Sequence, residues 1–141
     1  ANNGITISAL VGGASVEGRM ISGSDIELNA RLGTMSFGSQ SSLEAANILT
    51  LNASSHVQSN GLLKAKQSLN LSTGFGNIAF GETSQTQVGE DARITTFGSI
   101  DHRGAMRVGG RTEWAALGSL TQRGSLESDG TIKLNSTGSL L

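Results

Sequence analysis

Few side chains in this sequence could do chemistry. His56 and His102 are its only histidines, and cysteine is absent, which excludes disulfides, thiolate metal sites and cysteine nucleophiles. Asp101 beside His102 has the form of a base with its orienting carboxylate, but no nucleophile stands at a matching position. Glu90–Asp91 and Asp25 with Glu27 are acidic pairs of the kind that hold calcium or cleave glycosidic bonds. Either use requires carboxylates converging from neighbouring segments. The calcium nonapeptide GGxGxD does not occur, since Gly12–Gly13 and Gly109–Gly110 lack the rest of it. A P-loop and a dinucleotide fingerprint are also missing. What the chain can do therefore depends on which residues the backbone places side by side.

The backbone signal is a repeat. A short apolar–polar–apolar beat reads ITIS at 5–8, DIELNA at 25–30, LTLNA at 49–53, LNLST at 69–73, ARITT at 92–96, TEWAA at 112–116 and TIKLNS at 131–136. Its first slot falls at Ile5, Ile26, Leu49, Leu69, Ala92, Thr112 and Ile132, and subtraction gives intervals of 21, 23, 20, 23, 20 and 20. A period in this range marks a solenoid, each repeat one unit stacked on the next.

Aligning the repeats as columns gives strands. Two residues after the first slot stand Ile7, Leu28, Leu51, Leu71, Ile94, Trp114 and Leu134, all apolar. The residue between the two slots is Thr6, Glu27, Thr50, Asn70, Arg93, Glu113 or Lys133, all polar. Such alternation buries one face and wets the other. Ala9, Ala30, Ala53, Thr73, Thr96, Ala116 and Ser136 form a small column where the coil narrows. A second strand is expected eight or nine residues on, with Met35, Phe37, Val57, Ile78, Phe80, Ile100, Leu120 and Leu140 inward. A third is expected through Leu43 and Ala45, Leu63 and Ala65, Val88, Met106 and Val108, and Leu126. Glycines recur at the corners, and Asn60–Gly61 and Asp129–Gly130 are turn pairs. The stretch 43–49 could pass for a helical turn, but it is too short to stand alone and keeps the strand phase.

These columns predict an all-β parallel β-helix of roughly seven coils, each about 20–23 residues with three short strands. At the ~4.8 Å spacing of strands the rod is roughly 30 Å long. In this frame Glu27 is followed by Thr50 and Asn70, so no acidic column forms. His56 and His102 fall two coils apart, roughly 10 Å, and read as ordinary surface histidines. Trp114 takes a core position, with room left by Thr112 and Ala115–Ala116. The signs of Arg93, Glu113 and Lys133 alternate along a solvated face.

Composition narrows the function. Charged residues are 15% and the formal net charge is -1, so there is no basic excess for phosphate and nucleic acid is not an expected partner. No apolar run approaches the ~18 residues of a membrane span. Proline is absent while glycine is 20 of 141, which suits continuous sheet with sharp bends. The sequence opens without Met and closes in mid-repeat at Leu140–Leu141, as expected of an internal piece of a longer filament, residues 1–141 forming one segment.

Beats such as DIELNA and TIKLNS, with glycine-marked corners, resemble the hemagglutinin repeats of large filamentous exoproteins of bacterial two-partner secretion systems. That family includes filamentous hemagglutinin-type adhesins and the stick proteins of contact-dependent growth inhibition. The resemblance covers essentially the whole chain. It implies a right-handed parallel β-helix, exported unfolded through an outer-membrane transporter and displayed at the bacterial cell surface. The family's NPNG-type secretion motifs and a carboxy-terminal toxin domain are not visible here.

The expected function is non-enzymatic, with no cofactor and no metal. A stiff shaft would hold adhesive or toxic modules away from the producing cell. The alternative is that the segment itself binds a receptor or glycan on a target cell. The longer coils carry insertions around Ser39–Ser42 and Glu82–Gln87, and insertions often decorate a binding face. Gln40, Ser41, Glu82, Gln85 and Gln87 are the candidate contact residues there. A polysaccharide-active β-helix is the third expectation. Open strand edges at the ends of an excised piece would invite end-to-end association.

Overall fold

The structure, a computed structural model, describes residues 5–9 and 14–138. They form a parallel β-solenoid with three strands per coil and no helix. The first sheet contains Ile5–Ala9, Ile26–Ala30, Leu49–Ala53, Leu69–Thr73, Ala92–Thr96, Thr112–Ala116 and Ile132–Ser136, stacked in chain order. The second contains Ala14–Val16, Met35–Phe37, Val57–Ser59, Ile78–Phe80, Ile100–His102 and Leu120–Gln122. The third contains Arg19–Ser22, Ser42–Ala45, Leu62–Ala65, Gln85–Val88, Ala105–Val108 and Ser125–Ser128. Seven strands in one sheet and six in each of the others make about six turns among the described residues. The seventh coil contributes its first strand there, and its second-strand candidate Leu140 lies outside the described residues, as does Leu141.

The predicted columns are the observed register. Leu28 pairs with Leu51, Leu51 with Leu71, Leu71 with Ile94, and Ile94 with Trp114. All five are buried. Each buried Leu or Ile contributes about 1.5–3 kcal/mol against the unfolded chain. Ile7 and Leu134, in the outermost coils described, are less covered because each has a neighbouring coil on one side only. The side chain of Ala9 lies outside the described set. Thr73 and Thr96 fit the small column by bonding each other, and Thr96 Oγ1 also donates to Gly76 O at 2.7 Å. On the outer face Asn52 Nδ2 donates to Asn29 Oδ1 at 2.9 Å, and Ser72 Oγ donates to Asn52 Oδ1 at 2.6 Å. The stretch 43–49 is strand and corner rather than helix.

The corner glycines are needed for proximity, not for an unusual backbone. None of those at 61, 98, 104, 118, 124 or 130 lies in the left-handed region. A Cβ on Gly118 would lie 2.6 Å from Ser99 Oγ and 2.9 Å from Gly98 O. Corners stack on corners, so each of these six glycines meets the backbone of the coil below.

The insertions sit differently from their expected positions. The second and third strands are joined by two residues at 60–61, 103–104 and 123–124, but by four at 38–41 and 81–84. One more residue enters each long coil at the preceding corner, 31–34 and 74–77. Gln85, Thr86 and Gln87 therefore belong to a third-sheet strand and not to a loop. Strand pairing decides this, because Gln85 and Gln87 stay in register with Leu62 and Lys64 on one side and Ala105 and Arg107 on the other.

Candidate functional site

One carboxylate of each acidic pair is used by the scaffold. Asp25 Oδ1 accepts the Ile48 N–H at 3.0 Å, and Asp91 Oδ1 accepts the Arg111 N–H at 2.9 Å. Both precede a first-sheet strand and satisfy the same corner of the next coil, where strand bonding has lapsed. Asn77 and Ser99 do this at another corner, accepting from Ser99 N and Ser119 N. Among the described residues no group of three His, Cys, Asp or Glu could hold a metal ion.

The Asp101–His102 pair is not formed. Successive strand residues point to opposite faces, so Asp101 turns outward, where its Oδ2 accepts from Arg103 Nε at 3.1 Å. His102 turns inward and is fully buried. This corrects its assignment as a surface histidine. The rule that placed Phe37 and Phe80 inside applies to the same slot of every second-sheet strand, and residue polarity masked it at 102. His56 is exposed, and its Nδ1 accepts the Asn77 N–H at 2.8 Å.

Around His102 the core turns polar. Thr86 in the coil before, and Thr112 and Trp114 in the coil after, are buried, as is Ser59 two coils before, and each has a side-chain polar atom with no partner. Trp114 is fully buried, as its column requires. Its room comes from inward-facing Thr112 and Ala116, since Ala115 faces out.

The candidate contact residues divide. Gln40 and Glu82 are exposed at the two long corners. Ser41 is buried, its Oγ donating to Gly38 O at 2.7 Å, and it holds a turn rather than facing a partner. Gln85 and Gln87 stand on the outer face of the third sheet. Gln87 lies between Lys64 and Arg107 in a shallow groove of about 530 Å³ that also includes Lys66 and Asp129. Gln40 and Glu82 are two coils apart and do not join this groove.

Sequence reasoning missed a second surface. Phe75, Phe97 and Leu117 occupy the first corner of three successive coils, with exposures of 88%, 61% and 53%. The rings of Phe75 and Phe97 are 6.3 Å apart. Beside them runs a groove of about 390 Å³ with Thr95, Asn135 and Thr137 on its rim and no charged residue in its lining. The signal was present in the sequence as large apolar residues recurring just past the small column. Three such side chains in line are an informative exposure for a polar solenoid.

No helix is long and apolar enough to cross a membrane among the described residues. Comparison with family models, curated proteins and solved structures finds no match for this chain.

Proposed function

We propose that this chain is a shaft segment of a large secreted bacterial surface filament, a non-enzymatic rod that presents distal adhesive or toxin modules to target cells. The observation that supports this reading is the unbroken in-register stacking of all three sheets, which makes a stiff element whose length is set by coil number. The hemagglutinin-repeat resemblance adds export through an outer-membrane two-partner transporter and display at the cell surface. Among the described residues no three carboxylates or imidazoles converge, and the acidic side chains at Asp25 and Asp91 are bonded to corners. The test is binding of the labelled purified chain to bacterial and animal cells. A shaft gives no saturable binding while its sheet circular dichroism stays intact. Saturable binding that unlabelled chain competes away overturns the spacer reading.

The Phe75–Phe97–Leu117 strip favours a second reading, in which the rod itself contacts an uncharged glycan on the target cell. Aromatic faces cover the apolar side of a sugar, and the hydroxyl and amide rim at Thr95, Asn135 and Thr137 matches its hydroxyls. The absence of charge in that lining suits a neutral partner. Binding of the chain to neutral oligosaccharides, lost in Phe97→Ser with the fold retained, would support it. Cell binding that survives deglycosylation would point to a protein receptor instead and sink the glycan reading.

A further inference from the structure

His102 is held by groups that define its chemistry. The ring lies between Phe80 one coil below and Trp114 one coil above, with ring centroids 5.3 Å away on each side and edge-on geometry. Nδ1 is 2.6 Å from Gln122 Oε1. The Gln122 amide is oriented by its other end, because Nε2 donates to Gly124 O at 2.9 Å. Its oxygen therefore faces the imidazole, and Nδ1 must carry the hydrogen. In the neutral ring Nε2 is then a bare lone pair, buried and without a partner. A proton added there becomes an N–H with no acceptor, carrying charge inside an apolar stack.

Few charges offset this. Asp101 is on the same strand, turned outward to Arg103. The flanking second-sheet strands, Ile78–Phe80 and Leu120–Gln122, contain no charged residue. Glu113 precedes Trp114 but faces out, 4.0 Å from Arg93, and Arg107 on the third-sheet strand of the same coil is exposed. Burial accordingly lowers the imidazole pKa below its usual value of 6.5, against the opposing pull of the Gln122 bond and the Asp101 charge.

We propose that His102 is an acid-sensitive lock in the core of the rod: protonating its ring loosens the stack between Phe80 and Trp114. The folded-state pKa is lowered, so the unfolded chain binds the proton more tightly. The stabilisation is complete above pH 6.5 and is lost as pH falls through the folded value. Within that window each unit of pH lowers the folded-to-unfolded ratio by up to about tenfold. The rod would thus stay rigid in neutral surroundings and soften near one coil in acidic ones. This property is independent of whether the rod is a spacer or a binder.

The chain supplies its own reporters. Trp114 is its single tryptophan, and only two histidine rings need to be resolved by nuclear magnetic resonance. In wild type, the His102 ring signals should titrate below pH 6.5. Trp114 emission should change and Tm should fall over the same interval. His102→Phe keeps the aromatic stack and should flatten the Tm profile across that interval. If the variant does not fold, the ring titration of wild type decides alone. A His102 that titrates at or above the ordinary value with emission and sheet dichroism unchanged overturns the proposal. So does a folded His102→Phe whose Tm falls with pH in the same way as wild type.

Discussion

At Gly118 the question is space rather than conformation. A Cβ there meets Gly98 O and Ser99 Oγ of the coil below, and neither is the free end of a flexible chain. Gly118→Ala should therefore destabilise by about 1–3 kcal/mol through overpacking at a stacked corner. Gly18 is the internal control, since a Cβ there meets nothing within 4 Å. Gly18→Ala should be neutral or stabilising by up to about 1 kcal/mol, through the unfolded chain. Denaturant unfolding of the two variants measures the difference, and equal midpoints would refute the stacking account. The same scale shows where sequence reading stops. The apolar columns were legible because Leu28, Leu51, Leu71 and Ile94 satisfy both residue type and alternation. His102, Ser59 and Thr86 satisfy alternation alone. Their polarity argued for the surface, but the register of their neighbours on both sides carried them inside.

The long corners show how an element absorbs extra residues without losing register. The segments 38–41 and 81–84 read Gly-Ser-Gln-Ser and Gly-Glu-Thr-Ser, two copies of Gly-x-x-Ser that sequence inspection passed over. In each, the last serine closes the turn twice. Ser84 N and Oγ reach Gly81 O at 3.0 and 2.8 Å, and Ser41 N and Oγ reach Gly38 O at 3.0 and 2.7 Å. The next coil then lays a glycine over that serine: a Cβ on Gly61 would come 2.5 Å from Ser41 O, and one on Gly104 would come 2.5 Å from Ser84 O. Period alone located the long coils but not the insertion within them, because 82–87 and 81–84 are equally polar. Strand pairing resolves that choice. Ser84→Ala removes the side-chain bond but keeps the backbone one, so it should cost about 0.5–1.5 kcal/mol. Cell or glycan binding should not change if the corner is structural. Thermal unfolding beside a binding assay separates the two, and loss of binding with unchanged Tm would restore this corner as a contact site.

Over the whole rod, each coil touches only the coils next to it, so stability is a sum of coil terms and interface terms. Interior coils carry two interfaces, while the first and last described carry one. Burial follows this pattern, with Leu51 and Leu71 closed to solvent and Ile7 and Ile132 more than two-fifths exposed. Opening should therefore begin at the outer coils and spread inward, rather than occur everywhere at once. Hydrogen exchange would register this as a gradient. Amides of Leu49–Ala53 and Leu69–Thr73 should be the slowest, and those of Ile132–Ser136 among the fastest. The polar core around His102 adds an asymmetry, since several buried groups there lack partners and that coil gains less from its neighbours. Ala92–Thr96 should then exchange faster than the equally interior Leu49–Ala53. Lowering the pH below 6.5 should widen that difference after correction for intrinsic exchange. Uniform protection from end to end would mean that the rod opens as a single cooperative unit, and the nearest-neighbour description of its stability would fail.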